Sequence, residues 1–353
     1  MRNFFLLLLV VGVMVGGWQP CHGARSTPLI IDHNNTNLWQ VPESAIILAK
    51  EKLHIAYGHT SHGSQLIAGM GGASNQLDVF MSSNGATSGV YIWNDGPLQG
   101  ALDLDDYAMG GDVGYYPQWL NNTRAYLGDP DPATGRGTSH SDVNVIIWSW
   151  CGQASGRTEE TMISTYLQPM SELEEDYPGI VFIYMAGHLD GGGATGNLHL
   201  RNEQIRTYCR ENNKVLYDFA DIESYDPDGL VNYMELMGND NCDYDNDGNG
   251  SRESNWALDW QDNHTEGVDW WISGAAHSQH LNGNRKGYAA WWLWASLAGW
   301  NDPDGAVEHA IAILQSQTGA TPDLSNVGPD INGDSHIGVV EAINMLRVSA
   351  GLE

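Results

Sequence analysis

Apolar and polar positions follow two alternating rhythms over residues 45–300. Short apolar runs bounded by Gly, Asn or Asp occur at "LHIAYG" (53–58), "DVNVIIWSW" (142–150), "GIVFIYMAG" (179–187) and "KVLYDFADI" (214–222). Each predicts a strand, and a continuous run such as 142–150 is the pattern of a parallel strand buried on both faces. Between them apolar residues recur at helical spacing in 159–177, 202–213 and 285–300. The first of these stops before Pro178, which cannot continue a helix. This β-α-β-α-β order predicts a three-layer α/β/α domain with a parallel central sheet. Sites in such sheets form beyond the carboxyl ends of strands, where "GHTSHGS", "CGQ" and "GHLDGGG" all fall. Residues 66–140 are rich in Gly, Asn and Asp with weak periodicity, and predict long loops and short elements over one face.

The ends of the chain have a different composition. "MRNFFLLLLVVGVMVGG" has one early Arg, an apolar run from Phe4 to Val15, and small residues at Gly23 and Ala24. That is the anatomy of a secretory signal over 1–24, with a run too short to span a bilayer. The expected product is secreted and extracellular. A main domain over 25–317, a turn-rich linker over 318–329 and a separate unit over 330–353 follow. Lys and Arg number 15 against 44 Asp and Glu, a formal charge of −29, which argues against nucleic-acid and membrane-surface partners. Cys151, Cys209 and Cys242 remain after the signal; three sparse cysteines are no disulfide framework, although one bridge is allowed. The 14 Trp residues are read as core in preference to a sugar-stacking platform.

Two acidic stretches have calcium-ligand spacing. Asp330, Asn332, Asp334 and Glu341 stand at positions 1, 3, 5 and 12 of a calcium loop, with the His336 carbonyl at position 7. Ser335 replaces the usual Gly at position 6, where the bend is sharp. In "DYDNDGNG", Asp243, Asp245, Asp247 and Asn249 alternate and Gly248 sits at the bend, but Ser254 stands where the bidentate acid belongs, with Glu253 beside it. The cofactor expected is structural calcium, with no organic cofactor. The tail unit resembles one dockerin-type repeat of secreted polysaccharide-degrading systems, which implies a cohesin-like partner. A dockerin has two repeats, and "AVEHAIAILQSQTG" (306–319) echoes only the helix part.

Three chemistries fit "GHTSHGSQ". Ser61, on a Gly-flanked turn after a strand, is a candidate nucleophile needing a histidine base from elsewhere. His59 and His62, with His277 and His280, form two H-x-x-H pairs that can supply imidazoles to zinc or iron. All of them can also be loop residues bonding backbone. The block order resembles the SGNH (GDSL-like) hydrolase superfamily over residues 50–300. "IAYGHTSHGSQ" stands in the place of its first block, "MGGDVG" of its second, "NVIIWSWCGQ" of its third, and "HLNGNRKGYA" of its last. The resemblance implies Ser61 as nucleophile and His280 as base, with His277 as the alternative. It further implies an oxyanion hole from the N–H groups of Ser61 and Gly111 or Gly114 and the amide of Gln153. The first block carries no G-D-S and the third no G-x-N-D, and the Asp three before the base is replaced by His277. The third triad member is therefore unassigned: a backbone carbonyl, Asp269 or His277 can orient His280, His59 and His62 are further substrate or orienting candidates, and His188 and Asp190 of "GHLDGG" are substrate ligands or the missing acid. The function implied is a secreted serine esterase acting on acylated polysaccharide. The alternatives are a calcium-dependent carbohydrate-binding or surface protein on this scaffold, or a metal-dependent hydrolase using the two histidine pairs.

Overall fold

The computed structural model describes residues 25, 27–300, 310–311, 313–318 and 336–349. Seven strands form one sheet: β1 (Leu29–Ile31), β2 (His54–Gly58), β3 (Trp93–Asn94), β4 (Leu102–Met109), β5 (Val145–Trp148), β6 (Val181–Met185) and β7 (Val215–Tyr217). Every pairing is parallel, in the order β1-β7-β6-β5-β2-β4-β3. The helices are α1 (Glu43–Lys52), α2 (Ser64–Gly69), α3 (Gln76–Ser83), α4 (Gln118–Leu127), α5 (Glu159–Met162), α6 (Gln168–Asp176), α7 (Asn197–Glu211), α8 (Phe219–Ile222), α9 (Trp256–Asp262), α10 (His280–Leu297) and α11 (Val339–Ser349). A π-helical turn joins α5 to α6. β8 (Asp243–Tyr244) and β9 (Ser254–Asn255) form a separate antiparallel ribbon.

The period-two geometry of strands explains the three layers. Ile55, Tyr57, Val145, Ile147, Ile183, Met185, Val215 and Tyr217 pack in one core with α1, α2, α3 and α10. Their neighbours Ala56, Ile146, Trp148, Phe182, Tyr184 and Leu216 pack in a second core with α4 to α7. A strand buried on both faces has no polar alternate, which is why these runs are continuously apolar. Trp119, Trp148, Trp256, Trp291 and Trp294 are fully buried, so these tryptophans are core.

The structure differs from the expected elements in two places. The run 214–222 is not one strand, because Asp218 ends β7. Its carboxylate caps α8 by accepting the Asp221 N–H (3.2 Å) and is gripped by Arg206 through two hydrogen bonds of 2.5 and 2.8 Å. Residues 66–140 are more regular than their composition implies, since they carry α3, β3, β4 and α4, and β4 pairs with β2 inside the sheet. Asp103 of β4 is tolerated in a buried position because His54 of β2 lies 2.7 Å away.

Two glycines bring the site's supports together. A Cβ on Gly69 would lie 1.9 Å from the Gly283 carbonyl oxygen, and one on Gly287 2.0 Å from the Gly69 carbonyl. The end of α2 and the first turns of α10 therefore touch backbone to backbone, which no larger residue permits. Cys151, Cys209 and Cys242 are all free thiols. Among the described residues no helix is long and apolar enough to cross a membrane. Residues 1–24, most of 318–329, and Asp330, Asn332, Asp334 and the Glu341 side chain of the tail loop lie outside the described residues. Within the tail, Ala342 packs with Ala310, Ile313 and Ile337.

Candidate functional site

The chain leaves β2 to form β4 on one side and returns to form β5 on the other, so the sheet order reverses between β2 and β5. Loops leaving adjacent parallel strands in opposite directions open a crevice at that point. His62 follows β2, Cys151 follows β5 and His188 follows β6, and all three meet there. His62 sits in a one-turn 3-10 helix (Ser61–Gly63) that leads into α2, and only 7% of it is exposed. Its Nδ1 lies 3.4 Å from the Cys151 Sγ and its Nε2 lies 2.9 Å from Asp240 Oδ2. A carboxylate only accepts, so Nε2 carries the hydrogen and the Nδ1 lone pair faces the thiol. Cys151 is half-buried.

The His62 ring is stacked by two others. His188 lies parallel to it at 4.0 Å and 4°, and His277 stacks at 4.7 Å and 21°. His188 Nδ1 donates to the Leu189 carbonyl at 2.6 Å, which fixes that ring. His277 is held with φ 61°, a left-handed conformation costly for a side chain with a Cβ. Burial pushes His62 below the ordinary imidazole pKa; His188 acts in the same direction, while the Asp240 hydrogen bond opposes them. Burial alone would raise Asp240, but the hydrogen bond from His62 and the charge interaction with His188 hold it below the usual carboxylate value. The pair is thus a neutral imidazole beside an ionised carboxylate at neutral pH.

A second polar network seats Cys151. Buried Asp112 accepts from Thr60 Oγ1 (2.6 Å), the Gly114 N–H (2.9 Å) and Gln153 Nε2 (3.2 Å). Gln153 Oε1 in turn accepts the Cys151 N–H at 3.2 Å. The Gly114 N–H and the Gln153 amide, expected in an oxyanion hole, are therefore engaged by Asp112. Gly111 adopts φ 93° in open space.

The other expected residues are separated. Ser61 is exposed, and its hydroxyl makes no hydrogen bond to either expected base among the described residues. His280 Nδ1 accepts the Gly274 N–H at 3.2 Å, and its ring faces Trp270. His59 is bound to Asp106 at 2.6 Å between Tyr57 and Tyr107. Asp190 caps its own turn through the Gly192 N–H, and Asp269 does likewise with Thr265. The two H-x-x-H pairs form no common ligand set among the described residues. His62, His188 and Asp240 do bring three ligand atoms within 4.8 Å. Imidazole lone pairs lie in the ring plane, however, and two parallel rings 4.0 Å apart cannot both point at one ion without breaking the stack.

The alternating acids of "DYDNDGNG" do not converge as spaced. Asp243 is taken up by the side chains of Asn239, Asn241 and Asn255. Asn249 Oδ1 accepts from Ser251, and both oxygens of Asp245 accept backbone N–H groups of 248–250. The carboxylates that do approach one another are Asp245, Asp247 and Glu253.

Sequence reasoning placed the "CGQ" and "GHLDGG" loops beyond strand ends but gave Cys151 no role, and it missed Asp240. A cysteine directly after a buried strand was an available signal for the first. Asp240, 178 residues from His62, stands in an Asn- and Asp-rich loop that reads as turn or calcium loop, and only the fold brings it near. The chain was compared with protein-family models, curated proteins and solved structures, and it matches none of them.

Proposed function

We propose that the protein is a secreted acyl hydrolase whose nucleophile is Cys151, with His62 as base and Asp240 orienting it. One observation carries this reading: the unbroken chain from Cys151 Sγ to His62 Nδ1 and from His62 Nε2 to Asp240 at the crevice between β2 and β5. Nucleophile, base and orienting acid within hydrogen-bond reach is the recurring arrangement for acyl transfer, on any fold and in any chain order.

In this mechanism His62 Nδ1 takes the thiol proton as Sγ attacks the ester carbonyl carbon. Asp240 stabilises the imidazolium that forms. The tetrahedral intermediate collapses as His62 returns the proton to the leaving alcohol oxygen, leaving a thioester on Cys151. Water, deprotonated by the same nitrogen, then releases the acid and restores the thiol. Ser61 lies beside the base with a free hydroxyl, as a substrate contact rather than the nucleophile. The resemblance to SGNH hydrolases agrees with the parallel sheet, and with the dockerin-like tail it makes an acylated polysaccharide the substrate. Calcium at the tail loop, and at Asp245, Asp247 and Glu253, is the structural cofactor in the same proposal.

The test is turnover of p-nitrophenyl acetate and acetylated xylan, with calcium present, by wild type and Cys151→Ala. The reading expects Cys151→Ala to lose about 10³-fold or more in kcat, as losing a nucleophile does. Equal activity of the two proteins would sink it.

A further inference from the structure

A buried ion pair beneath the crevice has no part in that chemistry. Glu223, just after α8, and Lys286 of α10 are both fully buried, with Lys286 Nζ 2.5 Å from Glu223 Oε2 and 3.6 Å from the centre of the Phe219 ring. Their hydrogen bonds run outward to the loops of His62, His188, His277 and Asp240. Glu223 Oε1 accepts the N–H of Leu189, the residue after His188. Lys286 Nζ also donates to Gln65 Oε1 at 2.6 Å, three residues beyond His62. Gln65 Nε2 then donates to the Ala276 carbonyl at 2.5 Å, directly before His277. Asn282 donates to Glu223 (3.4 Å) and to Ser278 Oγ (2.7 Å). Ser278 in turn lies 3.5 Å from Cys242 Sγ, in the tight turn that presents Asp240.

We infer that Glu223 and Lys286 are positioning residues, which hold the loops of His62, His188, His277 and Asp240 in register so that His62 meets Cys151. The inference rests on the thiol-hydrolase reading above. Stability alone is a poor reason for the pair: burying two charges costs desolvation that their attraction barely offsets, and replacing such a pair with neutral residues is often neutral or stabilising. Geometry supplies a better one. The pair reaches four loops at once, whereas the other bonds between them, such as Gly191 N–H to the Gly238 carbonyl and Gln279 to Asn241, join them two at a time. Glu223 also faces His62 electrostatically, together with Asp240, His188, His277 and Cys151, and acts to raise its basicity.

The experiment follows Cys151 in the full chain by site-resolved mass spectrometry of its alkylation with iodoacetamide, alongside the thermal midpoint. Glu223→Gln alone leaves a buried lysine charge unpaired and is expected to lose both thiol reactivity and Tm. The double variant Glu223→Gln/Lys286→Met removes both charges, keeps an oxygen for the Leu189 N–H and deletes the bond to Gln65. Its Tm is expected to recover while Cys151 alkylation stays about 10- to 100-fold slow, the cost of misplacing reacting groups. Leu173→Ala, which empties core on the opposite face of the sheet, is expected to lower Tm with Cys151 reactivity unchanged. Wild-type reactivity in the double variant would overturn the positioning role, as would equal slowing in Leu173→Ala. A wild-type Cys151 no more reactive than the same cysteine in the unfolded chain would overturn the hydrolase reading itself.

Discussion

Replacing Asp240 by Ala tests the orienting role with a magnitude that the geometry sets. The substitution removes one 2.9 Å hydrogen bond to His62 Nε2. A hydrogen bond to a charged partner contributes about 1.5–3 kcal/mol. The Asp240 side chain keeps 28% of its exposure, so water replaces part of what is lost and the lower half of that range applies. About 1.5–2 kcal/mol corresponds to roughly 10- to 30-fold in kcat/KM at about 1.4 kcal/mol per tenfold. The free ring can then also carry its hydrogen on Nδ1, which offers the thiol no lone pair, so the loss should fall mainly in kcat. The assay is steady-state hydrolysis of p-nitrophenyl acetate at pH 7.5, beside Asp103→Ala, which breaks a comparable histidine–carboxylate pair at the far end of β2. Asp103→Ala should keep kcat/KM near wild type per folded molecule. Asp240→Ala at the wild-type rate, or both variants falling equally, would refute the reasoning.

Three further outcomes follow from the same structure. Because the folded His62 is shifted below the ordinary imidazole value of 6.5, it is the neutral base that folding favours; kcat/KM should hold down to about that pH and fall below it, and a midpoint clearly above 6.5 in the rate profile would exclude this base. Gly287→Ala forces a Cβ into the Gly69 backbone at 2.0 Å and should cost about 1–3 kcal/mol or more in chemical unfolding; an unchanged midpoint would mean that α2 and α10 do not touch as described. Asp32 is raised from 3.8 to about 6, chiefly by burial and then by Asp221, so its stability contribution is greatest while protonated and is lost as pH rises through 6. Asp32→Asn should therefore raise Tm at pH 8, with the gain shrinking through pH 6 and vanishing below 3.8; a gain independent of pH would show that Asp32 does not titrate there.

The central strands were legible because burial on both faces writes the same signal at consecutive positions. Val145–Trp148 and Val181–Met185 have no polar residue to blur the pattern. β4 was not legible, since "LDLDDYAM" places three acids in eight residues and its burial depends on partners such as His54. Asp218 ended a predicted strand early for a similar reason: its partner Arg206 comes from α7, beyond any local pattern. The candidate site shows the same division. Strand-end loops follow from topology, so "GHTSHGS", "CGQ" and "GHLDGG" could be placed together without a structure. Which of their side chains meet depends on ångström-scale packing. Ser61 and His62 are neighbours in sequence, yet only His62 turns inward, because its 3-10 turn directs the serine to solvent.

The most direct test of the account is to find where the acyl group goes. Full-length protein would be mixed rapidly with p-nitrophenyl acetate, quenched in acid within the first turnovers and digested for peptide mass spectrometry. Acetyl on the Cys151 peptide, present in Ser61→Ala and absent in Cys151→Ala, is the predicted result. Acetyl on Ser61, surviving in Cys151→Ala, would contradict the account and return the nucleophile to the turn after β2.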